Sequence, residues 1–246
     1  MTFSALEGLL SLYNGLICIS TAIENYGANY NKNTIRIPIL TNPKQSKLRS
    51  HNVYKRENSF NIGFSGSIHP TKENFIEFFK VLGMLKSEEI EFTLNLCGFI
   101  KENHHNLLFK NLARKYNIQS HINFYGQLDA TELSTFLNQQ ELLVIPRGFT
   151  KQNNYGFSTK LSDYLDSGKL ILVTDVSDNK LFIKDGINGF IVSPDDNNAM
   201  LDKLKYIIEN YSNIHQTIEK NARITSLEHF YYRNFSQSLS EFLFSR

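Results

Sequence analysis

Cysteine, proline and tryptophan are scarce in the 246 residues, at two, five and none, and neither charge sign dominates. Lys and Arg number 26 against 24 Asp and Glu, for a formal net charge of +2 and an isoelectric point near 8.4. So small an excess, scattered along the chain, lacks the basic stripe that marks a nucleic-acid surface, and no nucleic acid is expected. No apolar run approaches the roughly 18 to 20 residues of a membrane helix, and Met1–Leu10 lacks the basic start of a secretory signal, so a cytoplasmic protein is expected. Cys18 and Cys97 lie inside the apolar segments Gly-Leu-Ile-Cys-Ile and Leu-Asn-Leu-Cys-Gly, which predicts buried, reduced thiols and neither a disulfide nor a metal pair. Thirteen glycines and five prolines exclude collagen-like and low-complexity chains, and 13% aromatic residues argue against disorder.

Several chemical signatures are missing as well. Neither G-x-x-x-x-G-K nor G-x-G-x-x-G spacing occurs, so a nucleoside triphosphate with magnesium or a dinucleotide has no support. No G-x-S-x-G elbow is present, and Gly63-Phe-Ser-Gly66 has the wrong spacing for one. His51, His104, His105, His121, His215 and His229 show no metal-ligand spacing with cysteine or acidic residues; no metal and no cofactor are expected. His69, a lone loop histidine before Pro70, reads as incidental and not as a base.

What is present is alternation. Short apolar runs at Phe60–Ser65, Phe92–Cys97, Ile122–Tyr125, Leu142–Ile145 and Leu170–Thr174 alternate with helix-period stretches at Lys72–Leu85, Asn106–Tyr116, Ala130–Asn138 and Thr159–Ser167. This rhythm predicts an α/β domain with a doubly wound parallel sheet covered on both faces. The first four runs are followed at once by Gly66, Gly98, Gly126 and Pro146, turn formers at the strand ends where ligands of such sheets sit. A short run at Phe190–Val192 and Ser-Pro-Asp-Asp196 then lead into a helix read through Ile208, and Phe230–Phe244 reads as a packing helix.

Residues 1–43 predict a helix, a strand at Gly15–Ser20, a helix from Thr21 and a strand at Thr34–Leu40, too little surface for an independent domain. Residues 44–59 follow as a linker and 60–246 as the main domain. Lys44, Lys47, Arg49, Lys55 and Arg56 make the linker the most basic stretch, read as solvated, though it could touch an anionic membrane surface.

Two segments carry candidate chemistry. Gly156-Phe-Ser-Thr-Lys-Leu-Ser-Asp163 enters a helix through Ser158 or Thr159, and a helix start of this kind offers unpaired N–H groups, a positive dipole end, two hydroxyls and the Lys160 ammonium to a phosphate. Asp163, three residues after Lys160 on the same face, could accept from ribose hydroxyls; the bland alternative is a capped helix with a surface ion pair. At the first strand, Ser65-Gly-Ser-Ile-His-Pro-Thr-Lys72 forms a second strand-to-helix loop whose lysine could reach the same phosphate.

From about Phe60 to Leu243 these stretches resemble the carboxy-terminal nucleotide-sugar-binding domain of a GT-B glycosyltransferase, most similar to the large family four of retaining enzymes. The strongest piece is Tyr155-Gly-Phe-Ser-Thr-Lys-Leu-Ser-Asp-Tyr-Leu-Asp-Ser-Gly-Lys169, close to a subgroup pattern G-F-P-T-K-L-x-E-Y-L-A-x-G-K-P, followed by Asp-Gly-Ile-Asn-Gly-Phe-Ile-Val-Ser-Pro-Asp. The resemblance implies that Asp163 holds the donor ribose, Lys72 the diphosphate, and Gly126, Gln127 and Leu128 the base. It departs from the family at Tyr155 and Asp163, where two glutamates are usual, and at Ser67, where an arginine follows the glycine. Arg147 matches a Pro-Arg that the subgroup often carries; it is read either as a replacement for that missing charge or as a structural ion pair.

The resemblance implies a hexosyltransferase, or its donor-binding half, moving a sugar with retention from a nucleoside diphosphate to a glycan or lipid-linked acceptor in surface polysaccharide or glycan assembly. Residues 1–43 match only the end of the acceptor-side domain, so a truncated gene product, a fragment or a split enzyme completed by a partner chain all remain open. An inactive donor-binding or assembly subunit and a GT-B-like sugar-nucleotide epimerase are the alternatives.

Overall fold

A computed structural model of the chain describes residues 7–42 and 59–244. Leu16–Cys18 (β1) and Thr34–Arg36 (β2) pair in parallel as a small separate sheet, linked through the helix Thr21–Gly27 (α1). Ser20 caps α1 by accepting from the Ile23 N–H at 3.2 Å. The strands are shorter than the sequence predicts: the Ile37 N–H still donates to the Cys18 carbonyl at 2.8 Å, but Pro38 has no N–H to continue the ladder.

The main sheet contains β3 (Phe60–Ser67), β4 (Phe92–Phe99), β5 (Ile122–Gly126), β6 (Leu142–Ile145), β7 (Leu170–Thr174) and β8 (Phe190–Val192). Its order is β5-β4-β3-β6-β7-β8, and every pairing is parallel. The helices are α2 (Phe75–Ser87), α3 (Asn103–Lys115), α4 (Ala130–Asn138), α5 (Lys151–Tyr155), α6 (Thr159–Ser167), α7 (Asn179–Phe182), α8 (Asn197–His229) and α9 (Ser236–Phe244).

Side-chain alternation divides the sheet's two faces. Leu142 and Val144 join Ile62, Phe64, Leu94 and Leu96 in a core closed by α2, α3 and α8 as far as Ile218. Leu143 and Ile145 join Ile171 and Val173 in a second core with Phe136 of α4, and Leu161, Tyr164 and Leu165 of α6. Cys97 belongs to this second core and Cys18 is buried in the amino-terminal piece; both thiols are free, as expected.

Three readings need correction, and a fourth falls on residues that are not described. The helix expected from Lys72 begins at Phe75, because Asn74 adopts a left-handed backbone (φ 54°) that a helix interior does not accommodate. The helix expected to end at Ile208 runs to His229: polar residues from Glu209 to Asn213 obscure its period before Ile218, Ala222, Thr225 and Ser226 bury the same face again. The segment after Phe230 splits into a short 3-10 turn at Tyr232–Phe235 and α9, none of whose residues is buried. The basic stretch from Lys44 to Arg56 lies outside the described residues.

The amino-terminal piece docks on the main unit by polar and apolar contacts. Asp178, almost fully buried, accepts from the Thr21 N–H at 2.9 Å and faces Arg36 at 3.5 Å. Thr41 and the chain at Phe230–Tyr232 exchange backbone hydrogen bonds of 2.8 and 3.2 Å, while Ile19 and Ile39 pack on the second core. No helix among the described residues is long and apolar enough to cross a membrane.

Candidate functional site

Strand order places the site. From β3 the chain moves outward to β4 and β5, then returns to the other side of β3 to build β6, β7 and β8. The direction of winding therefore reverses between β3 and β6, and the crevice outside their carboxyl ends is where open parallel sheets receive ligands. Gly66 and Ser67 end β3 there, and Pro146 and Arg147 follow β6.

Lys160 reaches this crevice from the first turn of α6. Its Nζ lies 4.9 Å from the Phe64 ring centroid, and its Cε passes so near Gly66 that a Cβ there would sit 2.6 Å away. Gly66 has φ +126°, so glycine is required both by the backbone and by the lysine crossing it. Arg147, buried at 5% exposure, and Lys160 converge on one carboxylate that the sequence reading did not single out, Glu73. Arg147 donates Nε to Oε2 at 3.1 Å and Nη2 to Oε1 at 3.2 Å; Lys160 Nζ donates to Oε1 at 2.9 Å. Arg147 thus makes a buried ion pair with Glu73.

Glu73 is wholly buried. Burial alone would raise its carboxyl, but Lys160 and Arg147 outweigh burial and hold it below the usual glutamate value. Burial lowers the Lys160 ammonium, an effect opposed by Glu73 and reinforced by Arg147 and Lys72. Lys72 stands next to Glu73 in the chain, and its Nζ has no hydrogen-bond or ion-pair partner among the described residues. With Lys72 near enough to act on Lys160, three cations stand against one carboxylate, which leaves two positive charges for an anion.

The helix start adds donors. Ser158 occupies the cap position of α6 without capping it: its side chain makes no hydrogen bond to the first turn, and its buried Oγ has no partner. A polar atom buried in this way is costly unless something outside the protein bonds it. Thr159 is exposed and Gly156 ends α5, half-buried.

Other predicted residues are more distant. Asp163 lies exposed on α6, its carboxyl raised by desolvation and by Asp166; Lys160 pairs with Glu73 and not with it, so the expected surface ion pair is absent. Gly126 and Gln127 are exposed at the end of the edge strand β5. Beside them a cavity of about 250 Å³ opens between Tyr125, Leu128 and the α4 side chains Thr131, Thr135 and Phe136. Tyr155 is partly exposed; its carbonyl accepts from Ser20 Oγ, and its ring meets Tyr26 edge-on with centroids 6.1 Å apart.

Three further residues shape the site without a clear sequence signal. Asn153, buried in α5, donates to the carbonyls of Lys72 (2.8 Å) and Gly148 (3.0 Å), tying the two crevice loops together. Tyr164 Oη accepts from the Ser65 N–H at 2.7 Å and fixes the end of β3. His69 is not incidental: its Nδ1 accepts from the N–H groups of Thr71 (3.3 Å) and Lys72 (3.1 Å), capping the turn that carries the lysine. At the entry to α3, Glu102, His104 and His105 each bring one ligand atom within 4.8 Å of the others.

Residues 46–225 match the family described as glycosyl transferases group 1. No curated protein matches the chain. Among solved structures, Anabaena HepE in complex with UDP and glucose superposes with a TM-score of 0.82 at 16% identity, over 99% of this chain and 66% of that one. Sucrose-phosphate synthase from Thermosynechococcus elongatus gives 0.79 at 18% identity, over 97% and 59%. The carboxy-terminal domain of LpcC from Francisella tularensis gives 0.64 at 16% identity, over 78% and 98%. The chain thus spans less than two thirds of the length of HepE and of the synthase. These likenesses establish the fold, a GT-B Rossmann-like α/β domain. With the sheet reversing at a cation-lined crevice and the family match extending over most of the chain, this protein belongs to the glycosyl transferases group 1.

Proposed function

We propose that the chain binds a nucleoside-diphosphate sugar in the crevice between β3 and β6 and serves its transfer, with retention, to a glycan or lipid-linked acceptor in surface polysaccharide or glycan assembly. The observation that carries this reading is the excess of positive charge where Lys160 and Arg147 meet Glu73 with Lys72 acting on Lys160 from close by, beside the unsatisfied Ser158 hydroxyl. Such preorganised cations and N–H groups suit a diphosphate leaving group, whose developing charge they would stabilise. Ser67, Gly156 and Thr159 would line the phosphates, Asp163 the ribose, and Gly126, Gln127 and Leu128 the base. The HepE structures hold UDP or UDP-glucose, which makes a uridine donor the first to test.

Calorimetry of the chain against UDP, GDP and ADP, with and without EDTA, tests the reading. One diphosphate should bind, binding should survive the chelator, and Lys72→Ala should weaken it about tenfold or more, as loss of a charge-assisted hydrogen bond predicts. Failure of all three nucleotides to bind would refute it. A second reading, a donor-binding or assembly subunit that has lost activity, is favoured by Tyr155 and Ser67 at positions where the family carries charge. It predicts the same binding with no sugar transfer to any acceptor, even when a partner chain is supplied.

A further inference from the structure

Glu73 stands where three separate segments of chain meet: the turn before α2, the loop after β6 and the first turn of α6. One of its oxygens, Oε1, accepts from both cations, 3.2 Å from Arg147 Nη2 and 2.9 Å from Lys160 Nζ. Core stability alone does not call for such a group. A buried ionic cluster recovers its desolvation only when fully paired, and apolar residues of similar volume commonly serve as well. Nor is the cluster deep in either apolar layer; it lies directly behind Gly66, at the mouth of the crevice.

A lysine side chain is a flexible point charge, and holding it in place at a phosphate costs rotamer freedom. Here that freedom is already removed. Lys160 is held by Glu73 at its tip, by Phe64 on one side and by Gly66 beneath its stem, while Arg147 is fixed by two parallel hydrogen bonds. Lys72, one residue from Glu73, has no such restraint.

We propose that Glu73 is the positioning residue of the diphosphate site: it holds Lys160 in register with Arg147, so that the terminal phosphate of a nucleoside diphosphate meets an ammonium already in place, while Lys72 closes on it from the adjacent turn. The proposal rests on the donor-site reading above. Its signature is selectivity for the second phosphate. Glu73 itself touches no ligand and acts through Lys160.

The experiment compares UDP with UMP, GDP with GMP and ADP with AMP on the whole chain by calorimetry, using the pair whose diphosphate binds. Wild type should prefer the diphosphate by more than tenfold. Glu73→Gln keeps the side-chain volume but turns an amide N–H₂ toward one of the two cations, and should reduce that preference at least fivefold while monophosphate affinity stays within a factor of two. Arg147→Lys, which keeps the charge but loses the paired hydrogen bonds, should shift the preference in the same direction; it carries the test if Glu73→Gln does not fold. A lowered melting temperature with an unchanged diphosphate preference would show a merely structural carboxylate and overturn the proposal. Equal affinity of the wild type for diphosphate and monophosphate would overturn it together with the donor-site reading.

Discussion

The carbonyl oxygen of Gly66 faces Gly98 across the β3–β4 pairing so closely that a Cβ built on Gly98 would lie 1.8 Å from it. The contact is with backbone, so no side chain can swing aside. Gly98 also has φ +132°, which side-chain-bearing residues rarely adopt.

Gly98→Ala is therefore expected to destabilise the fold by about 3 kcal/mol or more, combining overpacking with backbone strain. In a domain of this size that corresponds to a fall in Tm of about 6 to 12 °C, measurable by thermal unfolding. A change under about 2 °C would mean that the two strand ends separate more readily than their pairing implies.

Tyr164→Phe should cost about 1 to 3 kcal/mol, because the Ser65 N–H would be left buried without an acceptor. Urea unfolding reads this directly. Because Ser65 precedes Gly66, nucleotide affinity should fall too, unlike for a substitution that only empties the core.

Asp163→Asn should raise stability at pH 7 while weakening nucleotide binding. The carboxyl is raised above its ordinary value by desolvation and by Asp166, so its contribution to stability is present below the unfolded value of 3.8 and lost as pH rises through the folded value. Ionised at neutral pH, the group is a cost that asparagine removes; the gain is small because the side chain reaches solvent, and it should vanish below about pH 4. Thermal unfolding of both proteins across pH 3 to 7 checks the sign.

His69 responds to pH in the opposite direction. Burial first, then His105 and Lys72, lower its pKa against the opposing pull of Glu102 and Glu73. The neutral ring accepts from the Lys72 N–H, so its contribution is complete above the unfolded value of 6.5 and is lost as pH falls through the folded one. The Tm of wild type should drop between pH 6.5 and 5 by more than that of His69→Asn, whose amide oxygen can cap the turn at any pH. Parallel curves would separate His69 from the effect.

The middle of the large sheet was legible because strands such as Leu142–Ile145 and Leu170–Thr174 are continuous apolar runs buried on both faces. Lys72 and Lys160 were legible as cations at strand-to-helix loops and helix starts, and Arg147 through the family resemblance of its Pro-Arg. Glu73 was not. A single glutamate just before a helix reads as ordinary helix-entry chemistry, and only the fold brings positions 73, 147 and 160 together. Asn153 gave no signal for the same reason: its two acceptors are backbone carbonyls, which carry no sequence identity.

The 33-residue helix α8 buries Met200, Leu201, Leu204 and Ile207 in one layer and Ala222 in the other. A rod about 50 Å long that serves both layers cannot let go of one and keep its place on the other without breaking its own hydrogen-bond ladder. The two faces of the sheet are therefore mechanically coupled through a single element at the β8 end. Amide exchange should report one cooperative opening event for both layers, with α8 protected as long as the central strands are.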